Sequence, residues 1–195
     1  LSDSDAVARL DFSEIIEFHE KKNADITLVT HRETLESGRD TMLISAKESG
    51  RVTEVRLNPH LREATEAEVY VNIAVINREF LLDLVEDSKA YGYKSFESDI
   101  IAKQLDSLKI YRYEFKGYYA MIKSMASYFK HNMELLDKEV RNSLFEARDI
   151  YTKVRDSAPS KYGEEAVVKN SLISDGCEIE GTVENSILFR GVKVE

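Results

Sequence analysis

Three acids crowd the start of the chain, Asp3, Asp5 and Asp11 in LSDSDAVARLD. They fall where a first strand is expected to end, and open α/β sheets place their ligand crevice at the carboxyl ends of strands. Carboxylates there could bind a hard cation such as magnesium, or could serve as solvated acids that cap the next helix. The histidines at 19, 31, 60 and 131 show none of the close pairing that metal ligation prefers, and each reads as a surface or edge residue. The tyrosines at 91, 93, 111, 113, 118 and 119 could line a sugar pocket with their ring faces or pack at the core and its edges. The eight glycines are isolated, and no glycine-rich phosphate loop is present, so nucleotide binding does not follow from the residues alone.

Elements must position these groups, and the bulk composition bounds what they can be. With 195 residues, 43% hydrophobic and 32% charged, the chain can bury one good core and part of a second. Its net charge of −9 comes without a dense Lys/Arg cluster, so neither nucleic acid nor an anionic membrane is an expected partner. No apolar run approaches the ~18 residues of a membrane span, and the start has no secretory signature. One cysteine, Cys177, excludes a disulfide framework and fits a reducing compartment, and the expected location is cytoplasmic. The chain starts at Leu1 and runs almost at once into a strand end, so it is expected to be a fragment.

Asp11 with Glu14 three residues on resembles a capping box, and Ile15, Ile16 and His19 then share one helical face up to Lys22. Asp25 to Thr30 reads as a strand, and Met42 to Ala46 with Arg51 to Leu57 as a hairpin around Gly50. Val69 to Ile76 is a near-continuous apolar strand, after which Asn77 caps a helix carrying Phe80, Leu81, Leu84 and Val85. Ser95 caps a further helix with Phe96, Ile100, Ile101 and Leu105 inward, and Lys109 to Phe115 alternates as a strand. A third helix is expected from about Ile122 to Leu136, with Ile122, Met125, Ala126, Phe129 and Met133 as its apolar stripe. Strand followed by helix indicates an α/β domain over 1–145, and a polar connection with Pro159 and Gly163 reads as a linker over 146–165.

Beyond the linker lies an internal repeat. VKNSLISDGCEIE, Val168 to Glu180, lies over VENSILFRGVKVE, Val183 to Glu195, 15 residues later. Apolar residues recur at Val168, Ile173, Ile179, Val183, Leu188 and Val194, a spacing that suits short strands turning a corner every five or six residues. A hexapeptide-like parallel β-helix has that form, and 166–195 is expected to be its first coils.

Read together, LSDSDAVARLDFSEIIEFHEKKNADITLV, YVNIAVINREFLLDLVE, SFESDII, YRYEFKGYY, SYFKHNMELLD and SLISDGCEIEGTVENSILFRGVKV occur in the order found in the glucose-1-phosphate adenylyltransferases, also called ADP-glucose pyrophosphorylases. The resemblance covers essentially the whole chain. IYTKVRDSAPSKYG and the repeat after it look most like the D-type glycogen-biosynthesis subunit of that family. The resemblance implies the later part of a Rossmann-like nucleotidyltransferase domain followed by a left-handed parallel β-helix. It also implies a reaction of ATP with glucose 1-phosphate that gives ADP-glucose and pyrophosphate, with magnesium as the intact family enzyme's metal.

Where the family carries a glycine-aspartate pair for magnesium, this chain has Ser4-Asp5, so Asp5 is the expected metal and catalytic acid. A second aspartate belongs in a GYWRD sequence, and the chain reads Gly117-Tyr118-Tyr119-Ala120-Met121. A thioether is too soft to replace a hard oxygen ligand. The family's glutamate-lysine-proline becomes Leu57-Asn58-Pro59, and its DFG-x-D-I becomes Ser95-Phe96-Glu97-Ser98-Asp99-Ile100. Asp99 and Tyr118 keep the family's residue types and are the expected substrate contacts, whereas Asn58, Ser95 and Met121 mark a degenerate site. The expectation is a non-catalytic, regulatory subunit, with no cofactor in this chain itself, that assembles with a catalytic subunit or with itself. The alternative is a competent sugar-1-phosphate nucleotidyltransferase, adenylyl- or less so thymidylyl- or guanylyl-.

Overall fold

A computed structural model describes residues 1–35, 41–146, 153 and 155–195. The fold is mixed α/β and divides into two compact units. The first comprises Leu1–Ala6 with Leu10–Gly117, and the second Val7–Arg9 with Tyr118–Glu195.

In the first unit the described residues build one five-stranded sheet from β2 (Ile26–Leu35), β3 (Met42–Ala46), β4 (Val52–Leu57), β5 (Thr65–Ile76) and β6 (Ile110–Glu114), in the order β4-β3-β5-β2-β6. Only the β2–β6 pair is parallel. Ile26, Leu28, Ile44, Tyr70, Ala74 and Ile110 pack against Leu84, Ile100 and Ile101 to form the core. Leu84 comes from α2 (Arg78–Tyr91), and the two isoleucines from a π-helical segment, Phe96–Ala102. Asn77 and Ser95 cap these helices as read, their side chains accepting from the N–H of Glu79 and Ser98. Leu82 and Val85, by contrast, face solvent.

β5 begins four residues before the expected Val69 because its mostly polar first third, Thr65 to Glu68, finds a partner in the far end of β2. Within this long pair a bulge sets Val29 against extra residues of β5, and Asn72 takes φ 58° there. At the hairpin, Gly50 takes φ 87°, and a Cβ on it would lie 3.3 Å from the Arg112 carbonyl oxygen. That carbonyl belongs to β6, whose Arg112 N–H donates to Gly50 O at 2.9 Å, so the two edges of the sheet touch.

Helix α1 (Phe12–Lys22) is capped by Asp11, which accepts from Ser13 N at 3.0 Å. The expected capping box does not form, because Glu14 instead accepts from the Tyr113 hydroxyl at 3.1 Å. Ile15 is buried as expected, but Ile16 is 45% exposed. His19, read as a surface residue, is buried with Nδ1 2.8 Å from Thr27 Oγ1. Burial holds its pKa below the ordinary 6.5. A base with a depressed native pKa contributes stability above 6.5 that is lost as pH falls, since the unfolded chain then takes up a proton that the fold refuses. The urea midpoint is therefore expected to drop between pH 7.5 and pH 5.5, by less in His19→Gln.

Strand β1 (Ala6–Ala8), whose last two residues belong to the second unit, pairs with β7 (Tyr119–Met121). The expected third helix starts later, as α3 (Met125–Glu134), with Ser124 and Ser127 capping its first turn reciprocally. Its anticipated apolar stripe does not turn inward, for Met125 is 80% and Phe129 67% exposed. A further helix that the sequence reading did not expect, α4 (Lys138–Phe145), is capped by Asp137 and holds Leu144 in the interior. The expected connection over 146–165 lies partly outside the described residues.

The repeat is realised in backbone pairing. β9 (Val167–Lys169), β10 (Leu172–Ile173) and β11 (Glu178–Ile179) pair in parallel with β12 (Thr182–Glu184), β13 (Ile187–Leu188) and β14 (Lys193–Val194). Every register joins a residue to the one 15 positions later, as Val168 to Val183 and Ile173 to Leu188. Sequence reading missed β8 (Lys161–Tyr162), which extends the β11 sheet on its other side. Asn170 and Asn185 turn equivalent corners at φ 41° and 48°, and Asn170 Nδ2 donates to Asn185 Oδ1 at 2.7 Å. Asparagine tolerates that left-handed conformation, which explains its place in both copies. Cys177, Ile179 and Val183 are buried between the short sheets, packed against Val168, Ile173, Leu188 and Val194.

Candidate functional site

Asp5 lies just ahead of β1, following a segment anchored to the β5 bulge: Asn72 Nδ2 donates to Asp3 Oδ2 at 2.8 Å, and Asp3 N to Asn72 O at 3.2 Å. Asp3 is thus held as a structural acid and Asp11 as a cap. Asp5 differs, since its Oδ1 is buried with no hydrogen-bond partner among the described residues. A buried carboxylate oxygen without a donor is costly and invites a cation or a water.

Met121 ends β7, so it belongs to a strand and not to the stripe of the following helix. Asn58 follows β4 at φ 45°, where its Oδ1 accepts from Thr41 N at 3.0 Å and its own N–H donates to Thr41 O at 2.8 Å. It closes the open end of the β3–β4 hairpin. Arg56, a potential substitute cation, reaches Glu54 at 3.7 Å on the exposed side of the same hairpin.

Ser95 spends its hydroxyl on the cap and on Glu97, with Oγ 2.8 Å from Oε2. Asp99 accepts from the N–H groups of Lys94 and Ser95 at 2.8 and 3.0 Å and from Lys103 Nζ at 2.7 Å. The Lys103 bond first, then the two backbone donors, pull its pKa down to about 2. Tyr118 donates to Glu134 Oε2 at 2.6 Å, and burial, then that carboxylate, push its pKa far up. Both expected substrate contacts therefore already have protein partners.

Sequence reading missed two charged clusters. In the first unit, Arg112 Nη1 lies 2.6 Å from Glu68 and 3.0 Å from Glu114, and Thr30 donates to the same Glu68 oxygen at 2.5 Å. Burial works against the Arg112 charge, but Glu114 and Glu68 outweigh it. In the second unit, His131 Nδ1 lies 2.8 Å from the Glu134 oxygen that Tyr118 binds. Burial raises the Glu134 pKa, but bonds from Tyr118 and His131 overcome this and leave it lowered. The spacing of His131 and Glu134 by one helical turn was a visible signal, whereas the strands that meet at Arg112 are far apart in sequence. The tyrosines separate into local contacts: Tyr91 stacks on Tyr93, Tyr113 meets Phe18 edge-on, and Lys22 and Arg51 lie over Tyr111.

Magnesium demands near-octahedral oxygen ligation. Among the described residues no three His, Cys, Asp or Glu side chains are grouped to hold a metal ion. Asp5 offers a hard oxygen, whereas Met121 offers only a soft thioether and is no magnesium ligand.

No family model matches the chain. It is 41% identical over 125 residues to the glycogen biosynthesis protein GlgD of Bacillus subtilis (strain 168), covering 64% of this chain and 36% of that protein. It is 37% identical over 189 residues to the GlgD of Geobacillus stearothermophilus, covering 96% and 45%. The glucose-1-phosphate adenylyltransferase of Mycoplasma mobile (strain ATCC 43663 / 163K / NCTC 11711) is 28% identical over 194 residues, covering 97% of this chain and 50% of that enzyme. The chain thus spans half or less of the length of these relatives.

Proposed function

Because the chain belongs to the glucose-1-phosphate adenylyltransferase family, on its GlgD side, we propose that it is part of a non-catalytic, regulatory subunit of that enzyme in glycogen biosynthesis. The observation that carries this reading is Met121 in β7, a thioether where the resemblance requires a carboxylate. Asn58 supports it, because the position of the family's phosphate-binding lysine is held by an amide already bonded within its hairpin. In such an enzyme, catalysis consists largely of positioning the reactants and neutralising phosphate charge, so losing one metal ligand and one cation removes several powers of ten in rate.

In architecture, residues 1–145 are the later part of a Rossmann-like nucleotidyltransferase domain, 146–165 a linker whose Lys161–Tyr162 already pairs with the repeat, and 166–195 the opening of a left-handed β-helix. The parallel 15-residue stacking of β9 to β14 supports the last assignment. The subunit is cytoplasmic and assembles with a catalytic partner.

The full-length protein, expressed alone, is expected to form ADP-glucose and pyrophosphate at least about a thousandfold more slowly than the partner enzyme, and to change the partner's effector response when co-expressed. Efficient turnover by the protein alone would sink this reading. It would favour the second one, a competent nucleotidyltransferase, for which the unpartnered Asp5 oxygen speaks.

A further inference from the structure

Behind β7 lies a cavity of about 240 Å³, formed entirely within the second unit. Tyr118 and Ala120 line it, so strand alternation turns Met121 to the other face. The cavity is therefore separate from the degenerate metal position. Its wall is aromatic and aliphatic, including Tyr128 and Phe145, with His131 and Asn132 among its few polar side chains.

Those two polar groups are half used. His131 directs Nδ1 to the Glu134 carboxylate, and Nε2 makes no hydrogen bond among the described residues. Asn132 spends Nδ2 on the Tyr128 carbonyl at 2.7 Å, and its Oδ1 makes none. The Glu134 carboxylate, held by Tyr118 as well, fixes the imidazole as a carboxylate fixes a metal-binding or catalytic histidine. A mostly apolar, half-open hollow with a few oriented polar atoms is a common form of small-molecule site. At this volume, below the roughly 300 Å³ of drug-sized pockets, the occupant has one or two rings. A sugar suits it poorly, since the mostly apolar wall offers few partners to its hydroxyls.

We propose that this cavity binds a small aromatic molecule bearing a hydroxyl or ring N–H, the ring held among Tyr118, Tyr128 and Phe145 and the polar edge met by His131 Nε2 and Asn132 Oδ1. A hydroxyl can donate or accept, so it matches either protonation state of the imidazole.

Phenol and toluene, which differ by that one group, provide the test. Titrated into the chain while the Tyr128 and, in the parent, His131 ring signals are followed by NMR, phenol is expected to bind saturably in the millimolar range and toluene about tenfold more weakly. Ala120→Leu, which fills the cavity, is expected to abolish both; His131→Phe keeps a ring but is expected to erase the difference between the two probes. Non-saturating shifts, equal binding of phenol and toluene, or unchanged phenol binding in a natively folded Ala120→Leu chain would each overturn the proposal. If Ala120→Leu fails to fold, the phenol–toluene ratio in the parent and in His131→Phe decides alone.

Discussion

Leu28→Ala lowers the unfolding free energy by about 3 kcal/mol. Leu28 is fully buried on the central strand β2, between β5 and β6, in the cluster that includes Ile26, Ala74, Ile101 and Ile110. Removing three of its carbons forfeits their transfer from water and leaves a void that neighbours on paired strands cannot fill without breaking register. Urea denaturation followed by tyrosine fluorescence measures the loss. Val85→Ala is the control: Val85 faces solvent on α2, and its truncation is expected to change stability by no more than about 0.5 kcal/mol. Similar losses from both would mean that the core is not where the packing places it.

Asn58→Lys costs about 2–3 kcal/mol, although it restores the residue type that the family resemblance places there. A left-handed φ of 45° costs a residue with an ordinary side chain roughly 1–2 kcal/mol, and the bond from Thr41 N to Oδ1 contributes about 1 more. Asn58→Gly separates the two effects, for glycine accepts the conformation and loses only the bond, so its cost is expected near 1 kcal/mol. Equal costs for lysine and glycine would show that the backbone at 58 relaxes freely. The consequence for function is direct. A lysine here opposes the closure of the β3–β4 hairpin, so, on the proposed reading of the site, a cation at position 58 is not easily introduced by one substitution.

What the sequence determined by itself is local or repeated. Asp11, Asn77 and Ser95 announce their helices because a short acceptor can bond to N–H groups two or three residues on, a contact independent of the rest of the fold. The 15-residue repeat fixes its own register, since identical Asn-Ser corners and matched apolar positions align only when each copy lies on the next. Met121 and Asn58 read as departures from the motifs of the family the chain resembles, because residue type decides whether a group can hold magnesium or carry a charge.

Tertiary structure decided the rest. Nothing local tells His19 from Ile16, yet Thr27 gives the histidine a buried partner while the isoleucine is left in solvent. The stripe of Met125 and Phe129 has helical spacing whether or not a partner exists, so periodicity could not reveal that it faces outward. The Arg112 cluster needs β2, β5 and β6 side by side, which only the crossing of distant strands supplies. Asp5 shows the same division: its carboxyl was legible as a ligand type, but only the folded chain removes its Oδ1 from water without giving it a partner. Burial and pairing over long sequence separations are collective properties of the packed chain, and residue type constrains them without choosing among them.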